Sequence, residues 1–217
     1  LTIAPSGAEE FITAHTLLTH APLVPEIALY LATEITPIWQ ASETWLAARD
    51  LAPPYWAFAW PGGQALARYV LDHPEFVTGR RVLDFAAGCG LAAIACAKVG
   101  ARSVTAAEID IMAGAAIQLN AKCNDVTVNV LTTDVVGQPG ANWDLILCGD
   151  ICYEAPMTRH VLPWLRSIAD LSETWFADPG RAYLPKQGLS RRATYIVPTT
   201  LELEDRTSCT VNLFRLD

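Results

Sequence analysis

In this 217-residue chain, the residues that could do chemistry gather where apolar runs break into glycine and acid. The first such place reads LDFAAGCGLAA, residues 83–93. Gly88 and Gly90 carry no side chains. A loop there can turn tightly, and a ligand can lie against its backbone where the next helix starts. The spacing Gly88-x-Gly90-x-x-Ala93 by itself also matches a dinucleotide-binding loop. Asp84 separates the two readings. It stands where the strand enters the loop, where its carboxylate would repel a pyrophosphate but attract a methionyl ammonium such as S-adenosylmethionine carries. The alternative is a turn residue bonded to its own backbone.

Three further strand ends carry acids. Glu108 lies 20 residues beyond Gly88 (108 − 88), where a carboxylate can accept both hydroxyls of a ribose. It supports a nucleoside without choosing which. Asp110 reads as the start of the following helix. Asp134 closes the run TTD and reads either as an acceptor for an adenine amino group or as a plain turn residue. The fourth end is GDICYE, residues 149–154, with Asp150 and Tyr153 expected beside a transferable methyl. Displacement from a sulfonium chiefly needs proximity and an uncharged nucleophile. A lysine acceptor of pKa ~10.4 must lose a proton, costing about 4–5 kcal/mol at neutral pH. Asp150 could orient that amine, and Tyr153 could pack on it or hydrogen-bond to it. Their alternative roles are a helix cap and a core filler.

Upstream, YWAFAWPGG (residues 55–63) places four large aromatics in six residues before Pro-Gly-Gly. Trp56 and Phe58 are read as rings clamping the N-terminal segment onto the core. Trp60, beside Gly62 and Gly63, reads either as a third clamp or as a ligand-facing ring.

The elements that must position these groups follow from periodicity. Ser6 and Glu9 suggest a capping box for a helix running to about His20. Residues 26–32 are ambiguous between strand and helix, and a second helix is plausible over 37–49. From residue 64 helices and strands alternate: helix 64–72, strand 81–85, an alanine-rich helix to about Gly100, strand 103–108, and helix 111–120. Then come strands 127–132 and 143–149, helix 157–171 and strand 173–177. This rhythm means βαβ units and a parallel sheet covered on both faces. Residues 194–203 and 208–216 flank 204–206 with no room for a crossover helix, so they read as an antiparallel hairpin. Parallel strands closed by such a hairpin suit a Rossmann-like, seven-stranded methyltransferase sheet of the α/β class better than a plain dinucleotide fold. The expected organisation is an N-terminal extension (1–53) that shapes a substrate groove and a catalytic domain (54–217).

Bulk properties narrow the classes. The chain is 52% apolar and 18% charged, enough for a buried core and unlike a disordered segment. A net charge of −8 argues against a nucleic-acid partner and suits a basic protein substrate or mere solubility. The six cysteines form no C-x-x-C pair and lie mostly in apolar runs, so buried, reduced thiols are expected rather than disulfides or zinc. The four histidines show no metal-ligand spacing. No charge-free apolar stretch is long enough to cross a membrane, and no signal peptide is read. A cytoplasmic monomer is expected.

The same residues resemble protein-lysine methyltransferase family 16 of the seven-stranded superfamily, in particular its branch acting on the β-subunit of electron transfer flavoprotein. The likeness rests on TPIWQASE (36–43), PYWAFAWPGG (54–63), LDFAAGCG (83–90), AEID (107–110), GDICYE (149–154) and DPGRAYLP (178–185). It implies that S-adenosyl-L-methionine is the cofactor, leaving as S-adenosyl-L-homocysteine. It further implies that Trp60, Asp84, Gly88, Gly90, Glu108 and Asp134 hold the cofactor while Asp150 and Tyr153 line a lysine channel. Ala86 departs from the usual D-x-G-x-G-x-G by replacing its first glycine, a change that could weaken cofactor binding. Asp178 and Arg181 read either as structural residues ending the fifth strand or as substrate contacts. A ribosomal protein is the alternative acceptor. An NAD-dependent oxidoreductase and a cofactor binder without catalysis are the more remote alternatives.

Overall fold

The computed structural model describes residues 5–33 and 53–217. The helix expected over 37–49 and the block 36–43 lie outside them. A seven-stranded sheet forms the centre, built from β3 (Arg81–Phe85), β4 (Ser103–Ala107), β5 (Asn129–Leu131), β6 (Leu145–Gly149), β7 (Glu173–Asp178), β8 (Leu189–Pro198) and β9 (Ser208–Leu216). Their spatial order is β5-β4-β3-β6-β7-β9-β8. The first five pair in parallel, while β9 runs antiparallel to both β7 and β8. The mostly parallel α/β sheet with an antiparallel C-terminal hairpin is therefore present. Chain order reverses direction between β3 and β6, and ligands of open α/β sheets sit at the carboxyl ends of strands flanking that point.

Side-chain alternation fixes what each strand end offers. Along β3, Val82 enters the core on one sheet face, and Leu83 and Phe85 enter the core on the other. Asp84 thus projects to the Val82 side. That face is covered by α2 (Pro61–Asp72) and α3 (Leu91–Lys98), and the opposite face by α5 (Ala155–Ser167). Helix α4 (Ile111–Cys123) spans from the first core to a satellite core. Its N-cap is Asp110, whose carboxylate accepts the Met112 N–H at 2.8 Å, the helix-starting role read from the sequence.

The N-terminal region differs from expectation. Helix α1 is Pro5–His15, ending five residues before His20 and starting ahead of Ser6, so Ser6 is not its N-cap. Residues expected to continue it form β1 (Leu17–Ala21), which pairs antiparallel with β2 (Val24–Leu31) as a separate two-stranded sheet. The β2 alternation, buried at Val24, Ile27, Leu29 and Leu31, settles residues 26–32 as strand. Two exclusively polar side chains dock this hairpin. Asn124 accepts the Ala28 N–H at 3.1 Å and donates to the Ala28 carbonyl at 2.6 Å, as a neighbouring strand would. Asn120, fully buried, accepts the Tyr30 N–H at 2.8 Å and donates to the Cys89 carbonyl at 2.9 Å.

The C-terminal hairpin is also shifted. Its first strand runs from Leu189 to Pro198, and residues expected to extend it form a short helix, α6 (Leu201–Glu204). Cross-strand bonding goes one residue past Pro198, where the Thr199 N–H donates to the Thr207 carbonyl at 3.0 Å. Helix α2 begins at Pro61, so Gly62 and Gly63 lie inside its first turn rather than in a free loop. Five cysteines are buried as expected, but Cys123 is exposed at the end of α4.

Replacing Asn120 by leucine strands the Tyr30 N–H and the Cys89 carbonyl, and each unpaired buried group costs about 1–3 kcal/mol. Asn120→Leu is therefore expected to lower unfolding stability by about 2–4 kcal/mol, read from the urea midpoint at unchanged slope.

Candidate active site

A cleft opens at the carboxyl ends of β3 and β6, floored by the glycine loop and walled by the aromatic run. Asp84, Ala86, Gly88, Trp60, Gly63 and Asp150 all line it. Asp84 is 4% exposed, and its carboxylate accepts the Ala93 N–H in the first turn of α3 at 2.9 Å. Burial pushes its pKa up to about 8, opposed by that hydrogen bond and reinforced by the like charge of Glu108. Asp84 is thus neither exposed nor bonded to its own turn.

Beyond Asp84 the chain twists through left-handed conformations at Ala86 (φ 52°), Gly88 (φ 55°) and Gly90 (φ 80°). At Ala86 this is why a glycine would be at home, since a Cβ costs roughly 1–2 kcal/mol in that region. A Cβ at Gly88 would meet nothing within 4 Å, so the loop leaves room on that side. Gly90 caps α3 and packs against Ile117. Glu108 reaches this loop from β4. Its carboxylate accepts N–H groups from Gly88 at 3.2 Å, Ile109 at 2.9 Å and Asp110 at 3.4 Å. Burial raises its pKa while those donors oppose the rise.

The opposite wall depends on a close approach. Gly62 donates its N–H to Asp150 Oδ2 at 2.5 Å. A Cβ on Gly62 would fall 2.4 Å from that oxygen and 2.5 Å from the Ala177 carbonyl. Asp150 itself holds a left-handed backbone (φ 56°) and is 9% exposed. Its Oδ1 accepts from Arg181 Nη2 at 2.9 Å. Burial raises the Asp150 pKa to about 6, with the Arg181 cation pulling it down. The next helix is capped at Glu154, not at Asp150.

Tyr153 is 43% exposed, so it is no core filler; burial of its hydroxyl end still pushes the phenol up to about 12. Its ring lies 5.8 Å from Tyr55, which stands 5.9 Å from Trp60. The Trp60 indole N–H donates to the Tyr55 carbonyl at 2.8 Å, fixing the ring over the cleft. Of the other rings, Trp56 is buried against α1 and α4, the clamp expected. Phe58 packs there too but also lines the cleft, contrary to a purely clamping role.

Asp134 stands apart. Its Oδ1 accepts the Val136 N–H at 2.9 Å and its Oδ2 pairs with His160 Nε2 at 2.7 Å, the bonds of a turn residue. The sequence reading did not foresee Glu204. From α6 it takes Arg181 in a two-point grip, 2.5 Å from Nη2 and 3.1 Å from Nη1. Its place in the expected hairpin turn, where an acid reads as a solvated residue, hid it. Among the described residues, no group of His, Cys, Asp and Glu is arranged to hold a metal ion.

Gly62→Ala is expected to cost about 2 kcal/mol or more, because the methyl displaces the Asp150 carboxylate and the α2 terminus. Gly63→Ala, with nothing within 4 Å, leaves stability unchanged or raised by up to about 1 kcal/mol. Paired thermal melts check both.

Residues 65–152 match the ribosomal protein L11 methyltransferase (PrmA) family. The chain is 43% identical over 176 residues to an electron transfer flavoprotein β-subunit lysine methyltransferase of Xenopus laevis, covering 79% of this chain and 70% of that one. It is 35% identical to the like-named protein of Danio rerio, across 94% and 82% of the two chains. The fold matches that of magnesium protoporphyrin IX methyltransferase from Synechocystis, solved with S-adenosylmethionine bound. The TM-score is 0.54 at 20% identity, over 71% of this chain and 79% of that one. This chain belongs to the electron transfer flavoprotein β-subunit lysine methyltransferase family.

Proposed function

We propose that the chain transfers methyl from S-adenosylmethionine to a lysine amine of the electron transfer flavoprotein β-subunit. The observation that carries the reading is the cleft, with Asp84 below a glycine loop on one side and Asp150 on the other, while Tyr153 stands against Tyr55 of the adjoining aromatic run. The relatives' names support the substrate.

The residues present fit the cofactor. Asp84 is a buried acid facing no cation among the described residues, suited to a methionyl ammonium. Gly88 leaves a face of backbone bare. Glu108 accepts three N–H groups, one of them from the glycine loop, and its carboxylate oxygens keep acceptor capacity for ribose hydroxyls. Trp60 walls the same cleft, and Gly90 and Ala86 shape the loop. Asp134 could serve adenine only by releasing His160, so we assign it to its turn. When bound, S-adenosylmethionine supplies an electrophilic methyl on sulfonium. The chain's own residues place the amine. Asp150 accepts from its N–H, Tyr153 and Tyr55 flank its entry, and the walls exclude water. Both carboxylate oxygens of Asp150 retain acceptor capacity beside their single bonds. The N-terminal hairpin is assigned to the protein-substrate groove, because residues of β1, β2 and the aromatic run line a hollow of about 370 Å³ that shares Phe58 and Ala59 with the cleft.

A ribosomal protein is the second acceptor reading, favoured by the match over residues 65–152. Family membership sets the oxidoreductase reading aside. Among the described residues no helix is long and apolar enough to cross a membrane. The free thiols suit a reducing compartment, and we place the protein in the cytoplasm as a monomer.

Because Asp84 titrates at about 8, it is mostly protonated at pH 7 and must ionise to meet a cation. Calorimetry in buffers of differing ionisation enthalpy is expected to show close to one proton released between pH 6 and 7, where the ligand's own α-amine (pKa ~7.7–8.0) is still charged, with affinity rising with pH across that range. Asp84→Asn removes that release and weakens binding by about 100-fold or more. Binding of full strength by this variant would contradict the assignment. Asp150→Ala is expected to bind cofactor yet methylate purified β-subunit at least about 100-fold more slowly, measured by mass spectrometry against a ribosomal-protein control. Unaltered transfer would remove Asp150 from the mechanism.

A further inference from the structure

Three connections converge behind the cleft at the carboxyl edge of the sheet. Asp150 follows β6, Asp178 ends β7 and leads into Arg181, and α6 lies between β8 and β9. Arg181 joins them. Its Nη2 is 2.9 Å from Asp150 Oδ1 and 2.5 Å from Glu204 Oε1, and its Nη1 is 3.1 Å from Glu204 Oε2. The backbone beneath is pinned by Asp178, 1% exposed, whose Oδ1 accepts the N–H groups of Gly180 at 2.7 Å and Arg181 at 2.6 Å. Arg181 Nε is buried with no acceptor among the described residues, so the fork is aimed by its two carboxylates at the expense of its third face. Asp150 lines the cleft and Arg181 does not.

Among the described residues, the charged groups around Asp150 are few. Asp178 is of like sign and Arg181 of opposite sign, and Gly62 adds a backbone N–H. Glu204 shares the guanidinium. The thiols of Cys152 and Cys209 are pushed up to about 12 and about 11 by burial, so they stay neutral. One guanidinium therefore serves three acids, in a place where burial alone would protonate Asp150. An acceptor for an ammonium or amine N–H works best as the anion.

We propose that Arg181 is a positioning residue for methyl transfer, holding the Asp150 carboxylate charged and aimed into the cleft while Glu204 holds Arg181. The proposal rests on the assignment of Asp150 to the lysine amine. It differs in kind from a structural ion pair, because its signature is a change in the protonation of one cleft residue.

The decisive measurement is a carboxyl ¹³C NMR titration of the cofactor-free full chain, with the Asp150 signal identified by its loss in Asp150→Asn. Arg181→Gln is expected to raise the Asp150 midpoint by about one unit or more, and Arg181→Lys to restore most of it. In methylation assays the ratio of variant to wild-type rate cancels the acceptor's own titration. That ratio is expected to be low at pH 7, about tenfold down for a two-unit rise, and to approach one near pH 9. A ratio independent of pH with an unmoved midpoint overturns the proposal while leaving Asp150 in its role. Normal methylation by Asp150→Ala overturns the reading beneath it as well. Should Arg181→Gln lose cofactor binding by calorimetry, Glu204→Gln decides. With Glu204 neutral its hold on the guanidinium is lost, so the Asp150 midpoint should shift, and an unmoved midpoint sinks the proposal.

Discussion

The Gly62 N–H and the Asp150 carboxylate meet at 2.5 Å, and the shape of the cleft depends on that contact. It brings the start of α2 onto the end of β6 with no side chain between them. Gly149 offers no more room, since a Cβ there would lie 3.0 Å from the Gly63 nitrogen. Two glycine positions facing each other thus let helix and strand approach to backbone distance. The approach has two consequences. It carries Trp60, the N-cap of α2, to the cleft wall, and it gives Asp150 a donor from a helix N-terminus, where the backbone dipole favours an anion.

Burial disfavours the charge on each of four acids at this edge of the sheet, and each is compensated differently. Asp178 is met by two backbone N–H groups and Asp150 by Arg181 and Gly62. Glu108 is met by three loop N–H groups. Asp84 has a single N–H, and the charged neighbour that acts on it, Glu108, is of its own sign. Among the described residues, then, Asp84 is the acid of this edge with the least compensation. A deficit of positive charge at the bottom of a cleft selects a ligand that brings its own, which is the physical content of preferring a sulfonium amino acid to a diphosphate there.

The sheet was readable because its signals are local. Period-2 and period-3.6 patterns place β3, β4, β6 and β7 within one or two residues, and glycine after β3 marks the loop. Acid residues at strand ends were readable for the same reason. What failed was decided by distant partners. Glu204 is drawn into a helical turn by a guanidinium 23 residues away, and Arg181 is placed by an acid 31 residues away; no spacing rule encodes either. The stretch after His15 has helix-like composition but becomes β1 because it pairs with β2. Asp134 was legible only as a choice between two roles, and His160, 26 residues on, tips it toward the turn.

The docking of the N-terminal hairpin shows why polar contacts at this edge matter for more than stability. Apolar packing between β2 and α4 would tolerate a two-residue slip, since the buried side chains Ile27, Leu29 and Leu31 repeat every second residue. Two asparagines remove that freedom, because their amides bond particular backbone groups of Ala28 and Tyr30. Asn120 spends its remaining donor on Cys89, inside the glycine loop. The same side chain therefore fixes where the hairpin sits and how the loop over Asp84 is held. A displacement of the hairpin must either break the Cys89 bond or drag the loop with it. The region assigned to the protein substrate and the loop assigned to the cofactor are thus joined through one buried amide, and Asn120→Leu should loosen both together.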